Sequence, residues 1–141
     1  MLYLFDGKDA LEKGGMQEAL DHLIGASVEP LIAVFLISGE EDARQSQEQA
    51  EAYNKMIVTE LVPKVDEHYR TIPSAVARAA AGQAGGAEAA LSSAFKHPEV
   101  FARVGSQAAT MMTAAEYSDM IHGADEQPRS EERRVGKECR L

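Results

Sequence analysis

Gly82-Gln83-Ala84-Gly85-Gly86-Ala87 follows a short apolar run, Ala75 to Ala81, and leads into small, helix-favouring residues from Ala87 to Leu91. That change of composition predicts a strand meeting a helix that begins near Gly85. A turn of this kind strains one residue so that its side chain stands clear at the top of a parallel sheet. Gly82 and Gly86, two positions either side of Ala84, allow the strand and helix backbones to approach closely. The stretch therefore has the form of a nucleophile elbow in which Ala84 stands where a serine is expected. Local spacing leaves two other readings open: structural punctuation, or an anion-binding loop at a helix N-terminus. The anion loop lacks the Lys-Ser/Thr pair of a P-loop and the full glycine spacing of a dinucleotide fingerprint.

Working outward, Leu2 to Phe5 and Leu31 to Ser38 are short runs rich in Leu, Ile, Val and Phe, suited to strands buried on both faces of a parallel sheet. Between them, Met16, Ala19, Leu20, Leu23 and Ile24 fall at helical spacing over Gly15 to Ile24, with Gly25 as a stop signal. A longer helix is expected from Gln47 to His68, with Tyr53, Met56, Ile57, Leu61 and Val65 on one stripe and Pro63 kinking or restarting it. Ala102 to Gln107 is strand-like. The order is β-α-β-α-β-α-β, which predicts an α/β fold with right-handed crossovers and a parallel sheet flanked by helices on both sides.

Three ordered segments carry a family resemblance. From Arg78 to Phe101 the chain resembles the Putative esterase family of α/β-hydrolases, which includes enterochelin-esterase-like and mycolyltransferase-like proteins. There, G-x-S-x-G-G precedes a helix ending in R/K-H-P-x-x-F, and here the spacing runs ungapped from Gly82 to Lys96-His97-Pro98-Glu99-Val100-Phe101. Ala87 departs from the motif's last glycine. Leu2-Tyr3-Leu4-Phe5-Asp6-Gly7 is similar to the family's L-Y-L-L-D-G strand end, and Glu60-Leu61-Val62-Pro63 with His68-Tyr69-Arg70 to its E-L-x-P and Y-R helix. The resemblance implies a partial α/β-hydrolase fold and acyl transfer from small-molecule esters through a seryl intermediate. It also implies an oxyanion hole from the backbone N–H of Gly85 and one near Gly7-Lys8, taken as Lys8. Arg44 is its counterpart of a site-loop arginine. No cofactor or metal is implied.

A complete domain of this type takes about 200 residues or more, so these 141 residues are expected to hold a fragment of one domain, residues 1–127. The chain opens at once on an apolar strand, which leaves localisation unreadable. Arg129 to Arg140 resembles the in-frame translation of a sequencing adapter, and residues 128–141 are expected to be a non-native, disordered tail. Cys139, the sole cysteine, lies in it, leaving no disulfide framework or thiolate nucleophile elsewhere. Without the tail the chain carries nine Lys/Arg and twenty Asp/Glu, a net charge of −11. No basic cluster with interleaved aromatics precedes residue 129, which argues against nucleic acid. No apolar run approaches the twenty or so residues of a bilayer span.

Other candidates have ordinary explanations. Glu40-Glu41-Asp42 reads as a solvated acidic loop, since consecutive carboxylates converge on one ion only if the loop folds around it. His22 and His68 fall on helices, His97 in the helix-ending motif and His122 at a helix end over Ala115 to His122, where Asp119 also lies. In this fold the acid and then the histidine follow the nucleophile in chain order, and little sequence remains beyond Ala84 to supply them. Ser92, Ser93 and Ser106 read as packing or capping residues. The expectation is an esterase-family chain that does not turn over esters, the alternative a non-catalytic relative that uses the cleft for ligand or protein binding.

Overall fold

The computed structural model describes residues 1–37 and 47–109, together with Ser118 and His122. Four short strands, β1 (Leu2–Leu4), β2 (Ala33–Phe35), β3 (Ala79–Gln83) and β4 (Arg103–Gln107), form one sheet in the order β2-β1-β3-β4. All neighbours are parallel, with Leu2 opposite both Ala33 and Ala79, and Ala79 opposite Arg103. The helices are α1 (Gly7–Glu12), α2 (Met16–Leu23), α3 (Gln47–Met56), α4 (Val62–His68) and α5 (Gly85–Lys96).

This order requires one crossover toward β2 and two in the opposite sense. With right-handed crossovers the α3–α4 unit and α5 fall on one face and α1–α2 on the other. The core agrees. Tyr3 and Phe5, two positions apart and hence on the same face of β1, cluster with Ile57, Val62, Ala89, Ala90, Ala94 and Phe101. Tyr3 meets Phe101 edge-on with ring centroids 5.3 Å apart, and Phe5 meets Tyr53 at 6.3 Å. Small residues on α5 bring it close to the sheet; Ala87 and Ala90 are fully buried.

The expected alternation holds, with local corrections. Two helices rather than one separate β1 from β2, because α1 forms over Gly7–Glu12, a segment too short to show a helical period. The expected helix over Gly15 to Ile24 is present as α2, but none of its residues is buried. The strand expected over Ala75 to Ala81 starts later: Ala75–Ala77 form a 3₁₀ turn, closed by Arg78 N–H on Ala75 O at 3.0 Å, and β3 runs on to Gln83. Alanine has little strand preference, so ladder partners place this strand rather than its own residues.

The long helix from Gln47 to His68 is continuous but contains a π-helical turn over Ile57–Leu61. Pro63 has no N–H and its ring collides with the carbonyl of residue i−4, here Thr59, in a regular α-helix. A wider turn before it removes that conflict. The extra residue also changes which side chains face inward. Ile57 and Val62 are buried, five positions apart, whereas Met56 of the expected stripe is exposed. Asn54, which the apolar stripe did not include, is 3 % exposed and is held by α5. It donates from Nδ2 to Ser92 Oγ and accepts from Ser93 Oγ, both at 3.0 Å.

Candidate active site

The chain leaves β1 toward β2 on one side and returns to β3 on the other, so the strand order reverses between β1 and β3. In open parallel sheets a crevice forms at such a point, outside the carboxyl ends of the strands. A cleft of about 990 Å³ lies there, lined by Asp6, Asp9 and Lys13 from the β1–α1 side, by Gly82 to Gly85, and by Gly105, Ser106 and Gln107 of β4.

Ala84 is the single residue between β3 and α5. It is exposed to the cleft with φ 50° and ψ −122°, a conformation that L side chains rarely adopt and that persists only where surrounding structure imposes it. Three constraints impose it here. Ala84 N–H donates to Gln107 O at 2.9 Å, on the β4 side. Its carbonyl accepts from Ala87 N–H at 3.0 Å, which starts α5. On the β1 side, the preceding amide of Gln83 donates to Asp6 Oδ2. The two flanking glycines are required by contact: a Cβ on Gly82 would collide with the backbone of Gly86, and one on Gly86 with the Asp6 carboxylate.

Gly85, exposed, and Gly86, buried, open α5, and their N–H groups have no backbone acceptor among the described residues. They are the orphan donors of a helix N-terminus. At the start of α1, Gly7 N–H is taken by Leu36 O at 2.9 Å, which leaves Lys8 as the first amide without a backbone acceptor among the described residues. Lys8 is exposed and does not line the cleft. Ala84, Gly85 and Gly82 are thus brought together on the cleft, Gly86 supports them from beneath, and Lys8 stands at the neighbouring helix start. Arg44, the acidic run Glu40 to Asp42, Asp119 and residues 128–141 lie outside the described residues.

Asp9 and Lys13 pair across one turn of α1 at 2.9 Å, and the hydrogen bond that Lys13 donates to the Asp9 carboxylate holds the lysine above its ordinary value. Ser106 lines the cleft from the end of β4, opposite Gly82 in the ladder. Ser92 and Ser93 are committed to Asn54, as packing residues. None of the histidines lines the cleft: His22 and His68 engage the carbonyls of Glu18 and Lys64 one turn earlier, His97 contacts Glu99 Oε1 at 3.2 Å, and His122 is exposed. Among the described residues no three His, Cys, Asp or Glu side chains gather as a metal site. No helix of the described residues is long and apolar enough to cross a membrane.

Sequence reasoning placed Asp6 only within a strand-end motif and missed its contact with the turn. The signal was a carboxylate ending an apolar strand immediately before a glycine, but its partner lies 77 positions away.

The family model described as Putative esterase matches residues 1–136. The chain belongs to that family. Among solved structures, the enterochelin esterase of Shigella flexneri matches with a TM-score of 0.53 at 21 % identity, over 71 % of this chain and 26 % of that one. The likeness shows the α/β fold, and the chain spans about a quarter of that enzyme's length. Among curated proteins none matches. What the comparisons show is thus membership of that family and a parallel sheet flanked by helices.

Proposed function

We propose that Ala84 occupies the nucleophile position of a serine-esterase site and that this chain, as it stands, does not turn over esters. The observation that carries this reading is the backbone of Ala84. A non-glycine residue held at φ 50° between a parallel strand and a helix, exposed at the switch point of the sheet, is what presents an attacking oxygen in acyl transfer. Gly82 and Gly86 are the elbow glycines. The amide of Gly85, next after the nucleophile position, is one oxyanion donor. The second, assigned to Lys8 by the family resemblance, stands at the start of α1 although Lys8 does not line the cleft. Both are backbone groups that survive substitution of the Ala84 side chain. By the family resemblance alone, Arg44 is the counterpart of a site-loop arginine. In intact relatives the substrate is a small-molecule carboxylic ester.

An alanine methyl has no lone pair to attack a carbonyl, and loss of the nucleophile alone removes several orders of magnitude in rate. Residues 1–127 represent part of one hydrolase domain, and the acid and histidine belong to sequence beyond the described residues. The test is made in the complete reading frame recovered from the source, with and without Ala84→Ser, against short-chain p-nitrophenyl esters. A burst of nitrophenol from the Ala84→Ser form and none from the unaltered protein is expected. No burst in either form, with ester binding retained, would overturn the reading in favour of a non-catalytic binding protein.

A further inference from the structure

Asp6 occupies the N-cap position of α1, where an aspartate ordinarily accepts a hydrogen bond from the first turn of its own helix. It makes no such bond. Its carboxylate instead reaches across to β3 and accepts the amide of Gln83. The reason lies in the ladder. Leu4 and Ala81 are the last paired residues of β1 and β3, and Phe5 N–H closes the ladder on Ala81 O at 2.8 Å. In a parallel strand, alternate residues direct their amides to the same neighbour, so Gln83 N–H faces β1 just where β1 has turned away into α1. The Asp6 side chain supplies the missing rung. The same carboxylate fills the space beside Gly86 that any Cβ there would occupy, and it places a negative charge at the N-terminus of α5, where the helix dipole favours one.

We propose that Asp6 is the positioning residue of the Ala84 turn. It holds Gln83 from the β1 side as Gln107 holds Ala84 from the β4 side, and so fixes the strained backbone and the direction of the Gly85 amide. Its catalytic consequence rests on the esterase reading above; its mechanical role does not.

Serine at position 6 separates the two tasks of this residue, since it caps a helix well but is too short to reach β3. In the ¹⁵N-labelled 141-residue chain, Asp6→Ser is expected to speed amide hydrogen exchange at Gln83 and Ala84 by about ten- to a hundredfold, the range for losing a hydrogen bond to a charged acceptor. Exchange at Tyr3 and Leu4 stays unchanged, and Asp6→Asn, which keeps an acceptor, stays close to the unaltered chain. Gly86→Ala displaces the carboxylate and has the same effect as Asp6→Ser, so the double variant is no worse than either single one. Unchanged exchange at Gln83 in Asp6→Ser, or an equal rise at Tyr3 and Leu4, would overturn the proposal. In the complete frame carrying Ala84→Ser, Asp6→Ser is expected to lower kcat at constant KM, with Asp6→Asn restoring most of it. Lost exchange protection with unaltered kcat leaves Asp6 holding the turn and removes its link to catalysis. Absence of activity in every form counts against the esterase reading alone.

Discussion

At Ala84 the backbone is held in a conformation that its methyl side chain does not require. A residue held in this part of conformational space costs about 1–3 kcal/mol, and glycine adopts it without that penalty. Ala84→Gly is therefore expected to raise stability by about 1 kcal/mol, less than the full strain because glycine also loosens the unfolded chain. Urea denaturation of the two forms at a common slope measures it; a lower midpoint for Ala84→Gly would show that the turn is unstrained. The small residues around Ala84 were legible in the sequence because tight approach demands them, and the contacts at Gly82 and Gly86 bear out that demand. Asp6 was not legible as part of the turn. A capping residue and a cross-strand acceptor have the same composition and the same neighbours, and only the parallel register of β1 on β3 distinguishes them.

Among the elements, the runs of Leu, Ile, Val and Phe marked β1 and β2, although β2 is shorter than its run, Ala33–Phe35, and only half-buried at the edge of the sheet. Alanine-rich β3 was misplaced by several residues at its start, and α1 was missed, because neither carries a periodic signal of its own. The π turn was equally hidden: Pro63 announced an irregularity, while the direction in which the helix resolves it depends on what Val62 and Val65 must reach. The Asn54–Ser92–Ser93 cluster between α3 and α5 gives a stability test. Ser93→Ala leaves Asn54 Oδ1 without its buried donor and is expected to cost about 1–3 kcal/mol. Ser92→Ala, at a half-buried position open to water, costs less. Equal losses for the two would show that Asn54 is satisfied by another route.

For the whole molecule, the two ends of the sheet have different chemistry. The carboxyl ends open into the cleft, whereas the amino ends bury Tyr3 beside Arg78 and Asp66, with Arg78 Nη2 donating to Asp66 Oδ2 and Thr71 to Asp66 Oδ1 at 2.7 Å. Tyr3 Oη is buried without a partner among the described residues. Burial, and then the nearby Asp66 charge, push the phenol up to about 12 against Arg78, which acts the other way. Because the folded state favours the neutral phenol, this contribution is complete below pH 10 and is lost as pH rises from about 10 to about 12. The loss is on the order of 2–3 kcal/mol. Tyr3→Phe is expected to flatten the fall in unfolding free energy across that window in denaturant titrations. An undiminished fall would assign the alkaline loss to other groups.

The extra residue in the π turn has a rotational consequence. Each added residue turns the remainder of the helix by about 100° about its axis, so every side chain after Leu61 points where a regular helix would not direct it. Asp66 lies on that rotated segment, five residues past the turn. The carboxylate that neutralises Arg78, a guanidinium only 7 % exposed, is thus aimed by a backbone irregularity that Pro63 makes necessary. A residue that interrupts a helix at one point sets the charge balance beneath β3, the strand that leads into Ala84, at the opposite end from the cleft.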